Sequence, residues 1–219
     1  MVCEACEFED HFLKFHPDIA VVLNVDADHM EYFKTMDHVL DSYHRFAAMA
    51  SKAVIYNGDD ANSCRAVQGI EGVKLLSFGM GEDNDYHACN ICHVDGRHTL
   101  YDLYYKQERL GQVKLNVPGE HNVLNSMAAV AAAIESGCQP QRAIESVSAF
   151  QGAGRRFEIL GTNKGVTIAD DYGHHPAEIE VTLKAAKQMG YRQVWAVHQP
   201  FTYSRTAMPV SYTHLTLPT

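Results

Sequence analysis

A repeated unit constrains this chain more than anything else. A short apolar run stops abruptly in acids and amides, and a stretch with helical spacing follows it. Ile19 to Val25 is such a run, interrupted only by Asn24 and closed by Asp26, Asp28 and His29. Met36 to about Met49 then reads as a helix. Ala53 to Tyr56 is a second run, closed by Asn57, Gly58, Asp59 and Asp60, and Val73 to Phe78 is a third. Runs that are apolar throughout, rather than alternating, belong to strands buried on both faces, as in a parallel sheet covered by helices. The pattern predicts an α/β fold whose polar strand ends collect at one edge, where such sheets place ligands.

The middle of the chain changes period. Tyr101, Leu103 and Tyr105 alternate with Asp102, Tyr104 and Lys106, and Asp95-Gly96 is a turn signal, so Tyr86 to Val117 is expected to form a small antiparallel meander. Helical spacing returns at Val123, Met127, Val130 and Ile134, with Gly137 at the C-terminal cap position. Pro140 suits the first turn of another helix, running to about Phe150. Gln151 to Gly154 is small and flexible and marks a domain boundary. Beyond it Val166 to Ala169 reads as a strand ending in Asp170 and Asp171. Pro176 opens a helix closed by Gly190, and Gln193 to Val197 reads as one more strand, the start of a second βαβ unit.

Composition narrows the function classes. The net charge is -9 with no basic run, which excludes a sequence-independent grip on nucleic acid. No apolar run approaches the roughly 20 residues that span a bilayer. The first dozen residues carry four acids and no basic residue, unlike a secretory leader. A cytoplasmic location is therefore expected, with the six cysteines as thiols.

Three clusters fall at strand ends or helix starts: Glu4 with His29; His121, Asn122 and Asn125; and Asp170, Asp171, Tyr172, His174 and His175. A carboxylate and an imidazole from neighbouring strand ends suit a divalent cation beside a nucleotide, although on chemistry alone Glu4 reads better as surface charge and His29 as a loop histidine. Amides both donate and accept, as an adenine edge requires, while Asn122 alone would also serve as a helix cap. Arg155 and Arg156, just past the boundary, offer the planar forks that hold phosphate. Two adjacent histidines after two acids at a strand mouth rarely serve a core.

Taken together and in order, six stretches resemble the Mur ligase family over residues 2–206. They are Glu4-Ala-Cys-Glu, Asn24-x-x-x-Asp28-His29, His121-Asn122-Val-Leu-Asn125, Gly154-Arg155-Arg156-Phe157-Glu158, Asp170-Asp171-Tyr172-Gly173-His174-His175-Pro176, and Gln199-Pro200 through Tyr203-Ser204-Arg205-Thr206. The Tyr-Gly-His-His-Pro form favours the alanine-adding member, with the murein-peptide recycling ligase a close relative. The resemblance implies part of a central ATP-binding domain over 1–153 and the start of a Rossmann-like C-terminal domain over 154–208. It implies an ATP-dependent ligase that joins L-alanine to UDP-N-acetylmuramate through an acyl phosphate. Glu4 and His29 match Mg²⁺ positions, Asn122 and Asn125 flank adenine, Arg156 meets phosphate and Asp170 lies near the ribose. Tyr172, His174 and Arg205 point toward the muramoyl substrate, with His174 and Arg205 at the reacting centre.

The chain also departs from the family. None of its 15 glycines is followed by lysine, so the Gly-x-x-x-x-Gly-Lys loop that cradles phosphates is missing from 1–219. Phe201 stands where the family usually carries histidine. Residues 209–219 continue no recognisable pattern and are expected to be a non-native tail. No turnover is expected from this chain alone, which leaves a non-catalytic nucleotide-binding remnant as one alternative. A metal or haem protein is the other: Cys89-x-x-Cys92-His93 matches a haem attachment pattern and Cys3-x-x-Cys6 would complete a zinc set. Against it, Cys89 and Ile91 alternate with their neighbours as strand residues do.

Overall fold

A computed structural model describes residues 1–94 and 96–199. A six-stranded sheet forms first, from β1 (Ile19–Val22), β2 (Ala53–Asn57), β3 (Lys74–Gly79), β4 (Tyr86–Val94), β5 (His98–Tyr105) and β6 (Glu108–Leu115), in that spatial order. The first three pairings are parallel and the last two antiparallel, so the parallel runs and the meander are both found as expected. Between them run α1 (Met30–Phe33), α2 (Met36–Ala48) and α3 (Ala61–Val67). After the sheet come α4 (Glu120–Glu135) and α5 (Pro140–Ala149).

Strand side chains alternate between faces, and that alternation builds three layers. Ile55 points to one face, where Leu76, Phe78, Tyr101 and Leu103 meet Val123, Met127 and Val130 of α4 and Ile144 of α5. Its neighbour Val54 points to the other, against Phe46 and Ala47 of α2, Val67 of α3 and Phe12 of a kinked 3-10 stretch, Phe8–Lys14. Burying one such side chain contributes about 1.5–3 kcal/mol. Apolar residues on both sides of β2 are thus what make its sequence uninterrupted.

Parallel strands ordinarily need a long crossover, yet only six residues separate β3 from β4. The overlap is short enough to allow it: the strands share just Phe78↔Tyr86 and Gly79↔His87, at the exit end of β3. Asp85 locks the return, accepting from the Ser77 amide at 3.0 Å while its own amide donates to the Ser77 hydroxyl at 2.9 Å.

The C-terminal unit differs from the sequence expectation. β7 (Glu158–Asn163) and β8 (Val166–Asp170) form an antiparallel hairpin, followed by α6 (Pro176–Gln188). The strand expected at Gln193 to Val197 is not formed. A strand requires a paired neighbour, and Trp195 and Val197 are 82% and 97% exposed, with no strand beside them among the described residues. Among the described residues the C-terminal unit is therefore an antiparallel hairpin followed by one helix. No helix of the described residues is long and apolar enough to cross a membrane.

Candidate functional site

The exit of β1 is tied down before it reaches the site. The Asp60 carboxylate, which caps α3 by accepting from the Ser63 amide at 2.7 Å, also accepts from the Val25 amide at 3.3 Å. The Asn62 amide donates to the Val25 carbonyl at 3.0 Å. The following residues are thereby delivered in a fixed direction. His29 adopts the left-handed conformation, φ 52° and ψ 37°, just before α1. That unusual backbone for a non-glycine residue aims its ring back at the preceding chain.

The ring meets three carboxylates: Glu7 at 3.4 Å and Asp28 at 3.8 Å from Nε2, and Glu31 at 3.5 Å from Nδ1. Phe8 packs on its face with centroids 4.8 Å apart. Donor atoms of Glu7, Asp28 and His29 all lie within 4.8 Å of one another. Oxygen-rich donors with a single imidazole fit a hard divalent cation, so the chemistry expected of His29 has a set of groups that can supply it. Glu4 is exposed and is not one of the three. Glu7 carried a readable signal, since it closes the same Glu4-Ala-Cys-Glu stretch.

A cleft of about 920 Å³ opens beside this cluster. Glu7 and Asp28 line one side, and Asn122 and Asn125 of α4 a second. The C-terminal unit closes it with Arg156, Asp171, His175 and Glu178. Six of the residues singled out in the sequence, His121, Asn122, Asn125, Arg156, Asp171 and His175, thus share one cavity although they come from different units. The size suits a nucleotide-scale ligand. The Asn122 side-chain amide donates to the Pro118 carbonyl at 2.7 Å, and the Asn125 amide to Asn122 Oδ1 at 3.5 Å. Asn122 does not cap α4, whose N-cap is Gly119 with φ 97°. A side chain at Gly119 would be strained by the positive φ and would displace the His121 ring, since a Cβ there falls 2.5 Å from Cε1. The ring of His121 folds back over the helix start, and its burial holds its pKa below the ordinary value, against the opposing pull of Asp171.

The Asp-Asp-Tyr-Gly-His-His stretch divides its residues between places. Asp171 is drawn inward, accepting from the Phe157 amide at 2.8 Å and the Gly173 amide at 2.7 Å. Asp170 instead pairs with Arg155 at 3.4 Å and, unlike Asp171, lines only an adjoining groove of about 530 Å³, with Trp195 and Arg192. Tyr172 is half exposed, with the Arg155 and Arg156 guanidinium groups 4.8 and 5.9 Å from its ring. His174 stands edge-on to that ring at 5.3 Å, its Nδ1 3.1 Å from the Tyr172 carbonyl. Asp170, Tyr172 and His174 do not line the large cleft. Arg205, Phe201 and the tail 209–219 lie outside the described residues. Cys89 and Cys92, split by a bulge in β4, join no metal-capable group with His93 or with the N-terminal cysteines among the described residues.

Comparison with known proteins matches this architecture. The Mur ligase middle domain matches residues 1–133, and the Mur ligase glutamate ligase domain residues 155–210. UDP-N-acetylmuramate–L-alanine ligases of Caldanaerobacter subterraneus subsp. tengcongensis and Clostridium acetobutylicum are 42% and 39% identical over 207 residues. That is 94% of this chain, which spans 45% of the length of each relative. Among solved structures, MurF of Acinetobacter baumannii has a TM-score of 0.72 at 23% identity, covering 82% of this chain and 39% of its own. The UDP-N-acetylmuramate-alanine ligase MurC of Thermotoga maritima has a TM-score of 0.69 at 24% identity, covering 82% and 40%, and at such identities the shared property is the fold. On the two domain matches, the chain belongs to the Mur ligase family.

Proposed function

We propose that this chain is the ligand-holding part of a cytoplasmic ATP-dependent ligase that joins L-alanine to UDP-N-acetylmuramate in peptidoglycan precursor synthesis. The observation that carries the reading is the shared cleft, with amides from α4 on one wall and an arginine from the following unit on another. Residues 1–153 form part of the ATP-binding domain and 154–208 the start of the C-terminal domain. Asn122 and Asn125 read the adenine edge, and Arg156 holds phosphate with two parallel bonds. Asp170 serves the ribose. Tyr172, His174 and Arg205 address the muramoyl substrate, with His174 and Arg205 at the reacting atoms. Mg²⁺ would be held by His29 with Glu4, as the resemblance implies, or with Glu7 and Asp28, which stand beside the imidazole, and it would neutralise phosphate charge.

In the reaction the lactyl carboxylate attacks the γ-phosphate of ATP to give an acyl phosphate and ADP. The amine of L-alanine then attacks the acyl carbon and releases phosphate. Both steps need reactants aligned and charge neutralised more than they need an acid or base, which suits a site of amides, arginines and carboxylates. No Gly-x-x-x-x-Gly-Lys stretch occurs within 1–219, so turnover is expected only from a protein that also carries that loop. The test joins this chain to the upstream domains and the remainder of the C-terminal domain of a relative and measures phosphate release with ATP, Mg²⁺ and UDP-N-acetylmuramate. Release that requires L-alanine supports the proposal. Release with L-alanyl-γ-D-glutamyl-meso-diaminopimelate instead would assign the recycling activity. ADP binding without release from any substrate would leave a nucleotide-binding remnant.

A further inference from the structure

The two units touch at a place remote from the cleft, and the contact is built on a glycine. The tip of the β4–β5 hairpin carries Gly96 and Arg97. Gly96 has φ 71°, and a Cβ there would fall 2.5 Å from Met189 Cα and 2.9 Å from the Gln188 carbonyl. Both are backbone atoms at the end of α6, so no side-chain rearrangement could make room. The next residue continues the contact: Tyr191, just beyond α6, stands by Thr167 of β8 and Arg97, which hold its hydroxyl below the ordinary pKa. The hairpin of the first unit thus seats the last turn of α6 and holds the tyrosine that follows it.

The same helix reaches the cleft at its other end, where Ala177, Glu178, Val181 and Thr182 form part of the wall. Thirteen residues make a rod about 20 Å long. A rod seated at one end sets the position of the other. Ala185, buried between the two, lies over Gly119 at the start of α4 and acts as a pivot.

We infer that Gly96 and Arg97 are positioning residues, which fix the C-terminal unit over the cleft through the far end of α6. Neither touches the cleft. Glycine is required here for the close approach as well as for the turn, and the two requirements can be separated. The β7–β8 turn supplies the comparison: Gly165 has φ 80°, and a Cβ there would meet nothing within 4 Å. Asparagine tolerates positive φ, so Gly165→Asn tests the turn alone, while Gly96→Asn keeps the turn and blocks the seat. Tyr191→Phe removes the hydroxyl that faces Thr167 and Arg97 and leaves both turns intact.

The experiment is amide hydrogen exchange by mass spectrometry on the parent chain and the three variants. Gly96→Asn is expected to raise exchange several-fold in the last turn of α6. Gly165→Asn is expected to match the parent, and Tyr191→Phe to move in the direction of Gly96→Asn by a smaller factor. Parent-like exchange in Gly96→Asn overturns the inference, and so does an equal rise in Gly165→Asn, which would make turn chemistry the cause. If Gly96→Asn loses its far-UV circular dichroism, Tyr191→Phe decides, and unchanged exchange there overturns the inference. The consequence for ligand rests on the nucleotide reading, so Mg²⁺–ADP affinity is measured on the same samples and is expected to weaken in Gly96→Asn. Binding absent from every sample, the parent included, would remove the nucleotide reading while the exchange data still decide the seat.

Discussion

Tyr101 sits fully buried in the middle of β5, and its hydroxyl is 2.7 Å from the Ser126 hydroxyl of α4. A buried phenol is tolerated only when its oxygen is partnered. Ser126 does not depend on that bond, because its own hydroxyl donates to the Val123 carbonyl at 2.7 Å. Tyr101→Phe is therefore expected to cost about 1 kcal/mol, the value of one intramolecular bond, without stranding its partner. Urea denaturation checks this, and a loss above about 3 kcal/mol would mean that Ser126 needs the phenol after all. At the cation cluster, His29 is the hub that touches every carboxylate, so His29→Ala is expected to lower Mn²⁺ affinity in the presence of ADP at least tenfold. The family resemblance assigns the carboxylate ligand to Glu4, whereas the geometry sets Glu7 beside the ring. Glu4→Gln and Glu7→Gln separate the two in the same titration. Full affinity in Glu4→Gln together with lost affinity in Glu7→Gln would move the ligand role to Glu7.

Elements carry the site by their ends, and α6 shows how. His175 is its N-cap, accepting from the Ala177 amide at 3.3 Å, while Glu178 reaches back to accept from the His174 and His175 amides at 2.9 and 3.1 Å. This reciprocal cap makes the His-His-Pro stretch a helix start as well as a candidate site. Glu178→Ala is expected to cost about 1 kcal/mol and to speed exchange at the His174 and His175 amides, which lose their acceptor. Unchanged protection there would mean that the loop is held by Asp171 alone. The long elements were readable because their periods were strong: β1 to β3, the meander, α4 and α5 all lie close to where apolar spacing put them. Short ones escaped. α1 has four residues, and α3 is made mostly of small and polar ones, so neither presents a full apolar face; the Asp60 cap was the only signal of α3. β7 was missed because all six of its residues are exposed and show no alternation in burial. The site was legible where one motif supplied a wall, as with Asn122 and Asn125. It was not legible where backbone direction decided, as when Asp171 turned inward and Asp170 outward.

On the scale of the whole molecule, acid should act first at the seam between the units. His121 lies at the start of α4 with Asp171 of the C-terminal unit facing it, and burial keeps its pKa below the ordinary 6.5. Between that ordinary value and the lower folded one, the unfolded chain binds more protons than the folded chain. Stability then rises with pH in this window, is fully present above about 6.5, and is lost as pH falls toward the folded value. Asp10 adds a second window lower down. Burial pulls its carboxyl upward, but hydrogen bonds from Ser42 and Tyr32 outweigh this and hold it below the ordinary 3.8. Its contribution is present above that value and lost as pH falls through the folded one. The denaturation midpoint is accordingly expected to fall in two steps, one beginning near pH 6.5 and one below about pH 4. His121→Gln should flatten the upper step and leave the lower one, whereas Asp10→Asn should do the reverse. Because His121 faces Asp171 across the seam, the upper step should be accompanied by faster exchange at the Phe157 and Gly173 amides, which donate to Asp171, and the lower step by exposure of the face that holds Phe12 and Phe46. An upper step that persists in His121→Gln would assign it to another of the 13 histidines and detach acid sensitivity from the seam.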